Sequence, residues 1–169
     1  SAASDVYKRQ NEGWHGNGNE YSSSTRNFTG SFSTTYDGSS TVGGEWIQLQ
    51  VPTAITITKI QIAPRTLSPD GTERAPTEGR ILGSNNGSTW SDIGTFTGKT
   101  YTLGNYTDIT VTTSTSYTYF RLVITKLVPG TATTVNISEI KYFGYDPLAT
   151  TPDYDCLLYT SPSPRDSIR

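Results

Sequence analysis

The sequence predicts an all-β domain, and three observations carry that prediction. The 169-residue chain is rich in Thr, Ser, Asn, Gly and Tyr, with 16 Gly, 11 Tyr and no Met. Thr and Tyr suit a pleated, half-buried surface and are mediocre helix formers. Short apolar alternations of period two recur along the chain, and no segment keeps a helical period over a useful length. Several such segments at even spacing, with turn signals between them, argue for a sandwich or a barrel.

Taken in order, residues 46–51 alternate, with Ile47, Leu49 and Val51 on one face, and Pro52 ends the segment. Residues 55–62 follow. Their apolar positions run Ile55 and Ile57, then shift phase to Ile60 and Ile62, which predicts a bulge near Thr58 and Lys59. Residues 80–84 and 89–96 flank Asn85-Asn86-Gly87, a hairpin signal because both central turn residues tolerate positive φ. Residues 106–112 alternate through Ile109 and Val111. Residues 117–125 are apolar on both faces, as a central strand should be, and 135–143 close the set before Gly144. Two longer loops are expected, at 65–78 and 11–24.

Charge and composition exclude several functions. Lys and Arg number 13 against 15 Asp and Glu, and they form no basic stripe for a nucleic-acid backbone or an anionic membrane. No apolar run is long enough to insert across a bilayer. The single Cys, Cys156, cannot form an internal disulfide. A lone His15 and that lone Cys leave no Cys-His pair at a plausible site, no nucleophile elbow accompanies His15, and no phosphate-cradling Gly loop is present. Nothing marks a carboxylate pair for glycoside hydrolysis. The chain therefore reads as a non-catalytic binding module.

Four segments in order resemble a known superfamily: GEWIQLQVP (44–52), RAPTEGRILGSNNGSTW (74–90), YTYFRLVIT (117–125) and ISEIKYFG (137–144). Together they resemble the galactose-binding-domain-like group, which includes discoidin (coagulation-factor type C) domains and family 32 carbohydrate-binding modules. The resemblance implies an antiparallel jelly-roll β-sandwich of about eight strands, with glycan recognition by loops at one end. The Thr-rich variant is similar to copies in marine viral and phage-like structural proteins. The family begins with a strand and an Ala-x-Asp-Gly loop before a Trp, so the N-terminal strand is expected to be truncated here. That loop often helps to hold a structural Ca²⁺ in the family, together with a Glu near the closing strand. Glu139 matches that Glu. A hard cation needs about six or more oxygen ligands, so no cofactor is expected for this chain, with Ca²⁺ reserved for the intact domain.

Within that resemblance five residues are candidates for ligand contact. Trp14 could offer a ring face to a sugar, although the family uses a Trp there for packing. His15 could donate or accept a hydrogen bond, and Asn17 lies in the same Gly/Asn-rich loop. Arg65 and Arg74 bracket the long loop and could meet hydroxyls or carboxylates with forked guanidinium groups; alternatively they pair with Asp70, Glu73 or Glu78. Arg121, mid-strand, reads as structural, as do Trp46 and Trp90. Sequons occur at Asn27, Asn86, Asn105 and Asn136.

The partner is then a glycan or a surface protein, and the expected location is extracellular, or on a virion or cell surface. Two other readings stand beside glycan recognition: a structural or adhesion module of a viral or cell-surface protein, and an accessory module of a glycoside hydrolase. Both termini, back-translated, resemble adapter sequences that a transposase adds to DNA fragments before sequencing. The expected organisation is thus an adapter-derived segment at 1–10, the binding domain at 11–144, a linker at 145–155 and a second adapter-derived segment at 156–169.

Overall fold

The computed structural model describes residues 14–66 and 71–149, and the backbone of 156–161. The expected segment 1–10 and residues 150–155 of the expected linker lie outside the described residues. Ten strands occur among the described residues: β1 (Trp14–His15), β2 (Ser33–Tyr36), β3 (Ser40–Gly43), β4 (Glu45–Pro64), β5 (Pro76–Ser84), β6 (Ser91–Phe96), β7 (Thr107–Thr110), β8 (Tyr117–Leu127), β9 (Asn136–Tyr145) and β10 (Cys156–Ser161). No helix occurs among the described residues, and hence none long and apolar enough to cross a membrane.

The strands form the sandwich that the alternations predict. The first sheet runs β4–β8–β5–β6, all antiparallel. In the second, β4 lies between β7 and β9, and the outer edge of β9 carries β1 and β10. Cys156–Ser161, expected as a foreign tail, therefore lies along the closing strand.

Strand β4 belongs to both sheets, and here the structure corrects the expectation that Pro52 ends a strand. The chain stays extended for 20 residues. Its first part pairs with β8 until the register jumps from Gln50↔Tyr119 to Ile55↔Tyr117. Pro52, which has no N–H to donate, falls in that gap and is exposed. The second part pairs with β9, from Thr56↔Tyr145 to Pro64↔Ile137. Strand β4 thus descends one sheet, crosses at the Pro52 corner and climbs the other. The upper end gathers Glu45, Pro64–Arg65, residues 71–76, the loop from Leu127 to Asn136, and the segment 15–29 that follows β1. The lower end holds the corner.

The predicted bulge is present. Ile57 pairs with Gly144 and Lys59 with Phe143, which leaves Thr58 as the extra residue; its carbonyl accepts from Val111 N at 2.8 Å. The bulge resets the phase, so Ile57, Ile60 and Ile62 all face inward at 0% exposure. They meet Ile47 and Leu49 of the descending half, Phe120, Leu122 and Ile124 of β8, and Ile137, Ile140 and Tyr142 of β9 in one core. Each such side chain stabilises the fold by about 1.5–3 kcal/mol on burial.

Two features differ from expectation. The 85–90 turn is wider than a two-residue hairpin. Only Gly87 has positive φ there (72°), and the Asn86 side chain closes the loop by accepting from Ser88 N and Thr89 N at 2.9 and 2.8 Å. The β2–β3 hairpin was not anticipated. It turns at Asp37 and Gly38 (φ 46° and 83°) and packs Tyr36 and Val42 on the outer face of the first sheet, against Leu82, Trp90 and Val123. Beneath it the Arg121 guanidinium lies between the rings of Trp46 and Trp90, at 3.9 and 4.2 Å from their centroids. It donates to Gln48 Oε1 at 2.8 Å and Thr34 Oγ1 at 3.0 Å. Burial lowers its pKa to about 10. Arg121 is thereby a structural residue, pinning the hairpin to the sheet.

Candidate functional site

The candidate site is the upper end, and it is built by strand register. β1 pairs with the start of β9, Trp14 opposite Ile137 and His15 opposite Asn136. Ile137 is also opposite Pro64 at the end of β4, so Arg65 leaves the sheet one strand over from His15. Asn136 links to the other side of the long loop, because its backbone N–H donates to Arg74 O at 2.9 Å. Asn136 is fully buried, and its Nδ2 lies 2.8 Å from His15 Nε2. The structure therefore brings His15, Arg65 and Arg74 to one end, with His15 and the Arg74 backbone joined through Asn136.

Trp14 is the exception among the candidates. It is 1% exposed and packs in the core, so it has no ring face to offer a sugar, and the packing role applies. Asn17 has an exposed side chain. Its backbone N–H is held by a charge that sequence reasoning missed: it donates to Glu45 Oε1. Glu45 is 3% exposed, and its second oxygen, Oε2, is buried without a hydrogen-bond partner. Its carboxylate lies against Gly16, where an added Cβ would sit 2.2 Å from Oε2; a side chain at that position would collide with the acid. Burial pushes the Glu45 pKa up to about 7, with the Asn17 N–H opposing and the nearby Glu20 charge reinforcing the rise.

The acids considered as partners for the arginines also serve other groups. Glu78 pairs with Lys126 at 3.4 Å. Glu73 accepts from Thr131 N at 2.9 Å and Ala132 N at 3.4 Å. Asp70 lies outside the described residues. Asn19 completes the rim, with Thr133 Oγ1 donating to its Oδ1 at 2.7 Å and its own N–H donating to Thr134 Oγ1 at 3.1 Å. The end is thus polar and tightly cross-linked, and it presents the His15 imidazole and the Asn17 amide beside two guanidinium-bearing loop positions.

Glu139 lies two residues along β9 from Ile137 at this rim. It lies on β9 opposite Ala63, and Tyr106 Oη donates to its carboxylate. Lys141 Nζ sits 3.9 Å above the Tyr106 ring. No cluster of three or more His, Cys, Asp or Glu able to hold a metal occurs among the described residues. The loop expected to complete such a shell precedes Trp14 and lies outside them. Among the sequons, Asn136 is buried and its amide faces His15, so its role is internal.

The F5/8 type C domain model matches residues 2–140 of the chain. No curated protein matches it. Among solved structures the chain is similar to CBM32-3 from a family 31 glycoside hydrolase of Clostridium perfringens. The identity is 18% over 83% of this chain and 78% of that one, with a TM-score of 0.53. It is also similar to CpGH89CBM32-5 of the same organism, in complex with GalNAc-β-1,3-galactose. There the identity is 20% and the TM-score 0.48, with 59% of this chain and 65% of that chain covered, so less than two thirds of that protein's length is spanned. A third is the family 32 CBM from C. perfringens NanJ in complex with galactose, at 17% identity, 73% and 85% coverage and a TM-score of 0.42.

Proposed function

The chain belongs to the F5/8 type C domain family, and from that premise we propose that it is a non-catalytic module recognising carbohydrate through the upper end of its sandwich. The observation that carries this reading is the convergence of His15, Arg65 and Arg74 on one rim, with Asn136 bonding His15 on one side and the Arg74 carbonyl on the other. His15 supplies a donor or acceptor, Asn17 an amide that can do both, and Arg65 and Arg74 forked donors for ring hydroxyls.

Because Trp14 is buried, recognition rests on hydrogen bonds rather than on that ring. Such a shallow polar site binds a small sugar weakly, on the order of millimolar to tens of micromolar, and repeated copies raise the avidity. A glycan-bearing surface outside the cell, or on a virion, is the partner this chemistry suits.

The test is a glycan array followed by calorimetry with galactose- and GalNAc-terminated sugars. Binding that falls by about tenfold or more in His15→Ala and Arg65→Ala, with unchanged melting, supports the proposal. A folded protein that is silent on the array refutes it and leaves the structural or adhesion reading.

A further inference from the structure

Arg26 is a buried cation that the glycan reading does not use. It is 4% exposed, and its φ of 67° places it in the left-handed region that residues with a Cβ avoid. A backbone held in that conformation is over-determined by its surroundings, and the side chain it carries is surrounded by backbone carbonyls. Nε donates to Val128 O at 2.8 Å, Nη2 to Glu73 O at 2.6 Å and Nη1 to Ala132 O. Three carbonyls from two separate loops thus converge on one guanidinium. Desolvation lowers the Arg26 pKa and the Glu73 charge acts against it; the group remains a cation.

The same two loops are tied by the carboxylate of Glu73, which accepts from Thr131 N and Ala132 N. They are tied again by Val128 N to Ala75 O and by Asn136 N to Arg74 O, both 2.9 Å. Arg26 itself is fixed by its own backbone, with Leu127 N donating to Arg26 O and Arg26 N donating to Ser22 O, both at 3.0 Å. Residues 73–75 and 128–136 therefore form one rigid rim, and Arg74 and the His15–Asn136 pair sit at its end. Remove the guanidinium and three carbonyls lose their donor at once, while the Glu73 carboxylate loses a nearby compensating charge.

We infer that Arg26 is a positioning residue: its guanidinium clamps the loops at 73–75 and 128–132 together and so sets the spacing between Arg74 and the His15–Asn136 pair. The link to ligand binding rests on the glycan reading, but the clamp does not. Lys carries the same charge as a single ammonium and cannot span three carbonyls in a planar fork, so Arg26→Lys isolates geometry from charge.

The experiment is hydrogen exchange on the full chain, with and without galactose. Arg26→Lys should accelerate exchange of amides at 128–136 and 73–75 by about tenfold or more, while those at 120–124 and 81–84 stay protected. Val111→Ala, a core truncation at the lower end, serves as a destabilised control that should leave the rim protected. Should Arg26→Lys fail to fold, Glu73→Gln probes the other half of the clamp through the Thr131 and Ala132 amides. If wild-type protein binds galactose, Arg26→Lys weakens it by about tenfold and Val111→Ala does not. A rim that stays protected in Arg26→Lys, or that opens equally in Val111→Ala, overturns the inference. Wild-type protein silent toward galactose but with a rim that opens in Arg26→Lys overturns the glycan proposal and leaves the clamp standing.

Discussion

Glu45→Gln tests the electrostatics of the upper end most directly. The Glu45 carboxyl titrates near pH 7 in the folded chain against 4.5 for an ordinary Glu, because burial disfavours its charge. A folded-state pKa above the unfolded one means that the native protein holds the extra proton between those two values. Its stabilising effect is complete below about pH 4.5 and disappears as the pH rises through about 7. The ceiling is about 3.5 kcal/mol, from a shift of roughly 2.5 pH units at about 1.4 kcal/mol each. Gln keeps an acceptor for Asn17 N–H and carries no charge, but its amide still lacks a partner where Oε2 now lies, so the net gain is smaller. At pH 8.5 the variant should be more stable than wild type by about 1–2 kcal/mol, a rise in Tm of several degrees for a chain of this size. At pH 4.5 the two should nearly coincide. Urea melts followed by Trp fluorescence from pH 4.5 to 8.5 give the difference directly. Stability curves that run parallel across the whole window would refute the reasoning.

Two further expectations come from the core and the outer layer. Tyr142 is fully buried with its hydroxyl unpartnered, so Tyr142→Phe should raise stability by up to about 1 kcal/mol in denaturant melts; a loss of that size would reveal a hidden partner. Arg121→Lys keeps the charge but not the stacking between Trp46 and Trp90, and it should cost about 1–3 kcal/mol. The β2–β3 hairpin should become protease-sensitive before the rest of the domain, a result that limited proteolysis with mass spectrometry can check.

What the sequence made legible was whatever hydropathy encodes. Ile47, Leu49, Ile60, Ile62, Ile109 and the apolar 117–125 run mark the inward faces, and the phase slip at Thr58 marks the bulge. Pro52 misled because it breaks a ladder without breaking an extended chain, and its own neighbours happen to be unpaired. The β2–β3 hairpin escaped because Ser-Thr-Thr-Tyr and Ser-Thr-Val-Gly carry almost no apolar alternation; the Asp37-Gly38 pair between them was the available signal. At the upper end His15, Arg65 and Arg74 could be nominated as types, and register brought them together. Glu45, Arg26 and Asn136 could not be nominated. A buried charge looks like any surface charge in a single sequence, and Asn136 read only as a sequon. Their roles come from partners between 28 and 121 residues away.

The passage of β4 through both sheets has a mechanical consequence. The two leaves are one continuous ribbon folded at Pro52, so they can neither slide past each other nor separate at that spine. The gape at the opposite margin is governed by the thickness of the packed isoleucines between the leaves, much as the filling sets how far a bound book stays open. Loop sequences at that margin can then change without loosening the body, while shortening Ile62 or Ile137, in the layer next to the margin and far from the lower end, alters the reach between residues that never touch them.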